Sequence, residues 1–184
     1  ALAHPRRVMP ARPAGSRPSV GAMTSLPACV ITVSDRSFAG EREDRGGPIA
    51  VGLLRDAGWH CPDAEVIADG ASSVADALRR AVARGVKLIV TTGGTGVGPR
   101  DETPEGTRRA ITREVPGLAE ELRRSGLADT PLSVLSRGVA GIVDPAGVLV
   151  VNLPGSPRAV ASGVPVVLTV ARHVVDQVAG GDHS

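Results

Sequence analysis

Residues 87–106 read KLIVTTGGTGVGPRDETPEG, and this stretch decides the fold class. Lys87 to Thr91 is a nearly continuous apolar, β-branched run, the pattern of a parallel strand buried on both faces. It runs straight into a loop holding Gly93, Gly94, Gly96 and Gly98. The longest glycine-rich loop therefore starts where a central strand ends. Such glycines let a backbone approach a ligand closely and permit positive φ, so that successive N–H groups can cradle an anion. The same composition also suits a loop that merely turns tightly, and no Gly-Lys-Ser/Thr follows to make a P-loop.

Upstream, CVITVS at residues 29–34 predicts a strand, followed by a polar loop through Asp44 and a helix over 49–57 that Gly58 ends. A second strand is expected at 65–67. Ser73, with Asp76 three residues on, resembles a capping pair that opens a helix over 74–84, closed by Gly85. Downstream, two helical stretches at 105–113 and 118–125 precede two β-rich runs at 138–143 and 148–153. Asp144-Pro145-Ala146-Gly147 between those runs predicts a hairpin. Asn152-Leu153-Pro154-Gly155-Ser156-Pro157 leaves the last strand for a helix, Ser156 suiting the N-cap and Pro157 the first helical position. A closing helix is expected over 165–178. The strand–helix alternation predicts a three-layer α/β/α fold with a mostly parallel sheet, plus the hairpin near its C-terminal part.

The chain has 184 residues, enough for one domain, and 42% of them are apolar. With Trp59 and Phe38 as the sole aromatics, the core must be built from Val, Leu, Ile and Ala. Residues 1–27 combine five prolines and four arginines with no acid, a composition that predicts a disordered tail outside the folded domain of 28–180. Met23 is a candidate natural start, the residues before it being additions or the product of a misplaced start codon. Without the tail, 17 basic residues stand against 19 acidic, so the excess positive charge lies outside the domain. That distribution, with almost no stacking aromatics, argues against nucleic-acid binding. Cys29 and Cys61 lie in apolar runs without CxxC or metal spacing, which favours reduced core thiols and a cytoplasmic setting. The composition predicts no membrane-spanning stretch and no secretory signal.

Three polar segments follow expected strand ends: Ser34-Asp35-Arg36, residues 91–105 and residues 152–157. In a parallel sheet they share one crevice. Asp101 and Asp69 are carboxylates placed where a phosphate-rich ligand needs Mg²⁺, although either could be a local cap or turn residue. Arg36, Arg100 and Arg137 could grip phosphate in a bidentate manner or be solvated surface. The four histidines lack ligand spacing, which predicts no zinc site.

Taken together, VITVSDR, VTTGGTGVGPRDETPEG and LSR before NLPGSP resemble the molybdopterin adenylyltransferase family, MogA/MoaB, also seen as the G domain of gephyrin-like proteins. The resemblance covers residues 28–178. It implies a Rossmann-like molybdenum cofactor biosynthesis fold that binds molybdopterin and transfers AMP from ATP to its terminal phosphate. By motif, the resemblance gives Asp101 the family's acidic catalytic position after GGTG and Asp69 that of its partner acid, both as expected Mg²⁺ ligands. Ser34, Asp35, Gly93, Gly94, Thr95 and Gly96 would line the ligand site, with Ser136, Asn152, Pro154, Gly155 and Ser156 as its other wall. The resemblance further implies a homotrimer, with a hexamer left open, and delivery of product to a molybdenum insertase. A non-catalytic molybdopterin carrier is the alternative within the same pathway.

Overall fold

The computed structural model describes residues 25–181. Most of the expected tail, residues 1–24, lies outside the described residues. Ser25 to Pro27, counted with that tail from sequence, are part of the domain. The Leu26 carbonyl accepts from His60 N, the Pro27 carbonyl from Lys87 N, and the Ser25 hydroxyl donates to Gly58 O.

Six strands form one sheet in the order β2-β1-β3-β6-β5-β4. They are β1 (Ala28–Val33), β2 (Glu65–Ile67), β3 (Leu88–Thr92), β4 (Arg113–Glu114), β5 (Ala140–Val143) and β6 (Val148–Leu153). β2, β1, β3 and β6 run parallel, whereas β5 is antiparallel to β6 and β4 antiparallel to β5. The hairpin expected around Asp144–Gly147 is thus the point where the sheet changes sense. Every residue of β1, β3 and β6 is buried, in keeping with their nearly continuous apolar runs.

The helices are α1 (Asp35–Phe38), α2 (Gly46–Asp56), α3 (Ala71–Ala83), α4 (Thr103–Arg108), α5 (Pro116–Gly126) and α6 (Pro157–Val178), with a 3₁₀ turn at Pro131–Leu135. Leu54 of α2, Leu118 of α5 and Val160, Val164 and Val167 of α6 pack with Val30, Leu88 and Val151 on one face. Val74, Ala77, Leu78 and Ala81 of α3 pack with Ile31, Ile89 and Val150 on the other. Alternate residues of each strand supply both cores, which gives the three layers the alternation predicts.

Four local expectations are corrected. Ser73 and Asp76 do not cap α3, which begins two residues earlier behind Gly70 without a local side-chain cap. The Ala71 N–H is instead taken by Glu102 Oε2 at 3.0 Å, while the Ser73 hydroxyl donates back to the Ala68 and Gly70 carbonyls. The helix expected over 105–113 is short, α4 ending at Arg108 so that Arg113 and Glu114 can pair with β5. The closing helix starts at Pro157 rather than near 165 and carries Pro165 in its interior. Pro165 sits on the exposed side, where loss of one backbone bond disturbs no packing. That single helix of 22 residues is also long and apolar enough to cross a membrane, contrary to the expectation from composition, but its apolar stripe is committed to the sheet.

The register aligns the carboxyl ends of the parallel strands: Thr32 pairs with Thr92, and Thr92 with Leu153. Residues 34–36, 93–102 and 154–156 therefore leave the sheet side by side. Strand order reverses direction at β1 and β3, the place where open α/β sheets leave a crevice.

Candidate functional site

The floor of the crevice is the loop after β3. Gly93 has φ +102°, and a Cβ there would stand 2.2 Å from the Val33 carbonyl oxygen. Gly94 has φ +62°, and a Cβ would meet Thr103 Oγ1 at 2.3 Å. Only glycine fits either position. Thr103 Oγ1 donates to Gly93 O at 2.9 Å and Thr103 N to Gly94 O at 3.0 Å, so these carbonyls are tied inward. The N–H groups of Gly94, Thr95 and Gly96 find no acceptor among the described residues, which leaves a row of donors for an anion.

Beside this floor lies an acidic pair built on reciprocal backbone bonds. Asp35 N donates to Asp69 Oδ2 at 2.7 Å, and Asp69 N to Asp35 Oδ1 at 3.0 Å. Arg100 grips the Asp35 carboxylate with Nε at 3.0 Å and Nη2 at 3.2 Å, and also donates to the Asp69 carbonyl. The Arg100 guanidinium holds the Asp35 carboxyl below the usual carboxylate range. Burial pushes the Asp69 carboxyl in the opposite direction, with the charges of Asp35 and Asp101 adding to it. Asp101 is held by its own loop, Oδ2 accepting from Gly98 N at 2.8 Å.

Each acid of the Asp69/Asp101 pair thus keeps Oδ1 without a partner among the described residues. No group of three or more His, Cys, Asp or Glu side chains suited to a metal occurs among those residues. A free carboxylate oxygen on each is the donor type that Mg²⁺ takes, but two are too few for an all-protein cage.

Two pockets open onto the crevice. The larger, about 770 Å³, is walled by Val97, Asp101, Leu132, Leu135, Ser136 and Pro154 among others. The smaller, about 270 Å³, lies between Ser34, Ser37, Arg42, Asp44, Arg45 and Pro157. They meet at Gly93, Gly155 and Ser156, which line both. A Cβ on Gly155 would come within 3.1 Å of Gly93 Cα, so the partition between the pockets is two glycine backbones in contact.

The structure brings most of the expected residues together here. Ser34 caps α1, accepting from Ser37 N at 3.2 Å, and Ser156 caps α6, accepting from Ala159 N at 3.2 Å. The Pro154 carbonyl accepts from Thr92 Oγ1, and Ser136 faces the larger pocket. Asn152 lines neither of these two pockets. It is 3% exposed, its Nδ2 donates to Thr91 Oγ1 and Thr107 Oγ1 at 2.9 Å each, and its Oδ1 accepts from Val139 N at 3.1 Å. Its side chain is fully occupied beneath the site.

Two of the arginines serve the protein itself rather than standing free for a phosphate: Arg100 holds Asp35, and Arg137 holds Glu105 and three loop carbonyls. Arg36 is exposed. Sequence reasoning missed Asp44, which accepts from Thr32 Oγ1 at 2.7 Å and Gly47 N at 2.9 Å and so shapes the smaller pocket. It also missed the 3₁₀ turn, whose signal was the apolar run PLSVL left largely exposed at Leu132, Val134 and Leu135.

A family model described as a probable molybdopterin binding domain matches residues 29–173. The chain is 40% identical over 163 residues to the molybdenum cofactor biosynthesis bifunctional protein of Synechococcus elongatus, covering 89% of this chain and 50% of that protein. It thus spans about half the length of such bifunctional relatives. It is 35% identical over 149 residues to the molybdopterin adenylyltransferase of Pyrococcus furiosus, covering 79% of this chain and 87% of that one. Among solved structures, the Mog protein of Mycobacterium ulcerans superposes with a TM-score of 0.78 at 43% identity, over 85% of this chain and 99% of the other. The MoaB protein of Thermus thermophilus does so with 0.77 at 40%, over 86% and 99%. With the domain model, the sheet order and the glycine-floored crevice all falling within the same residues, this chain belongs to the molybdopterin-binding domain family of molybdenum cofactor biosynthesis.

Proposed function

We propose that this chain is a molybdopterin adenylyltransferase, which moves AMP from ATP onto the terminal phosphate of molybdopterin and releases pyrophosphate. The observation that carries this reading is the pair of pockets meeting across Gly93 and Gly155, with the spare carboxylate oxygens of Asp69 and Asp101 beside the glycine floor. A transfer between two bulky anionic substrates needs two compartments with one shared wall.

An oxygen of the molybdopterin phosphate attacks the α-phosphorus of ATP, and the bond to the pyrophosphate oxygen breaks in line. A phosphate monoester, with its second pKa near 6, is largely ionised at neutral pH, so no strong general base is required. The protein's work is orientation and charge neutralisation. The N–H groups of Gly94, Thr95 and Gly96 can hold phosphate oxygens without reorganisation. Asp69 and Asp101 would hold a Mg²⁺ that neutralises the α-phosphate and the departing pyrophosphate. The same reading places the protein in the cytoplasm as a homotrimer, its product passing to a molybdenum insertase.

The test is direct detection of adenylylated molybdopterin from purified protein, molybdopterin, ATP and Mg²⁺. Wild type is expected to form it, and Asp101→Asn to lose about 100-fold or more in turnover while binding molybdopterin nearly as well. Tight molybdopterin binding by wild type with no product would overturn the enzyme reading in favour of a carrier.

A further inference from the structure

The loop of residues 95–101 has no regular structure, yet it must present the Thr95 and Gly96 N–H groups and Asp101. Within itself it makes only the Gly98–Asp101 turn. Apart from Glu102 N donating to the Arg100 carbonyl at the loop's end, its hydrogen bonds to the rest of the protein among the described residues run through two arginines. Arg100 reaches across to Asp35 and Asp69 on one side. Arg137 holds the other side in four ways. Its backbone N donates to Thr95 O at 2.8 Å, and its Nε donates to Gly96 O at 2.8 Å. Its Nη2 donates to Asp101 O, and its Nη1 and Nη2 engage the Glu105 carboxylate.

We propose that Arg137 is a positioning residue, which sets the height and direction of the glycine loop and of Asp101 without touching substrate. This deepens the adenylyltransferase reading and rests on it. Four of the guanidinium's five N–H donors are spent on Gly96, Asp101 and Glu105, so the group is not free to grip a phosphate. The Arg137 and Glu105 side chains are 39% and 42% exposed, so the pair contributes little to global stability. What the fork supplies is direction. Two carbonyls five residues apart are fixed from one planar group, which a lysine's single ammonium cannot imitate. Glu105, in the first turn of α4, anchors the fork to a regular element.

The experiment compares wild type, Arg137→Ala, Arg137→Lys, Glu105→Gln and Asp101→Asn for turnover, molybdopterin affinity and amide exchange in residues 95–101. Arg137→Ala and Arg137→Lys are expected to lose about 100-fold in kcat, with molybdopterin affinity changed by no more than about threefold, as a loop misplaced by about an ångström would do. Exchange in 95–101 should rise in both. Added guanidinium ion should restore roughly tenfold to Arg137→Ala and nothing to Asp101→Asn. If Arg137→Ala does not fold, Arg137→Lys and Glu105→Gln carry the comparison. Turnover within about threefold of wild type in Arg137→Lys, with unchanged exchange, overturns the proposal. A wild type that makes no product defeats the adenylyltransferase reading instead. The clamp then stands or falls on exchange alone, faster in the variants if it holds and unchanged if it does not.

Discussion

Replacing Asn152 with alanine separates a residue that supports the site from one that lines it. The Asn152 amide makes three bonds inside the protein, to Thr91, Thr107 and the Val139 N–H, and all four residues are 5% exposed or less. Losing the two bonds to threonine hydroxyls costs about 1 kcal/mol each, and leaving the Val139 N–H buried without an acceptor costs about 1–3 kcal/mol. The sum is about 3–5 kcal/mol. For a domain of this size each kcal/mol lowers the melting midpoint by roughly 2–4 °C, so a drop of about 6–20 °C is expected. Trp59, the single tryptophan, is 3% exposed beneath the Arg172 guanidinium and reports the transition by fluorescence. Molybdopterin affinity measured well below the midpoint should stay near that of wild type. An unchanged midpoint together with a large loss of affinity would refute the assignment and return Asn152 to the pocket wall.

Two further outcomes follow from the titrating groups. The Asp69 carboxyl is raised by burial, so its folded state holds a proton more tightly than the unfolded chain does. Its contribution to stability is therefore present below the ordinary aspartate value near 4 and declines as pH rises from there to the raised one. Asp69→Asn should flatten that decline in a pH series of melting midpoints while cutting turnover, and a steeper decline would contradict the burial argument. Burial likewise pushes the Cys29 thiol up to about 11 and raises the Cys61 thiol. Neither should react with a thiol reagent at pH 8 in the native protein, and both should react on unfolding; rapid labelling of native Cys29 would contradict its burial.

How far the fold was readable depended on whether the cause was local. The runs at 29–34 and 87–91 announced buried parallel strands, and Ser156-Pro157 announced a helix start, because the residues that decide those elements sit within them. The α3 start was misread because its first N–H is satisfied by Glu102, 31 residues away. Asn152 was misplaced for a related reason. β6 is buried on both faces, so no alternation of polar and apolar residues reveals which way a given side chain points. The glycine floor could be read because a steric requirement leaves one residue type standing. Arg100 and Arg137 could not, since whether an arginine meets a substrate or a neighbouring carboxylate is decided by the distance between loops that only the folded sheet sets.

The sheet ends at both sides in very short strands, three residues in β2 and two in β4, and each carries charge: Glu65 on one, Arg113 and Glu114 on the other. A long apolar strand with an open edge is a template on which further chains can add and begin to aggregate. Here the three fully buried strands, β1, β3 and β6, each have a neighbour on both sides. An approaching chain meets only a brief, charged border. The aliphatic strands at the centre of the sheet are thereby shielded by helices on their faces and by short charged strands at their edges, while the crevice stays open at the carboxyl ends of the parallel strands.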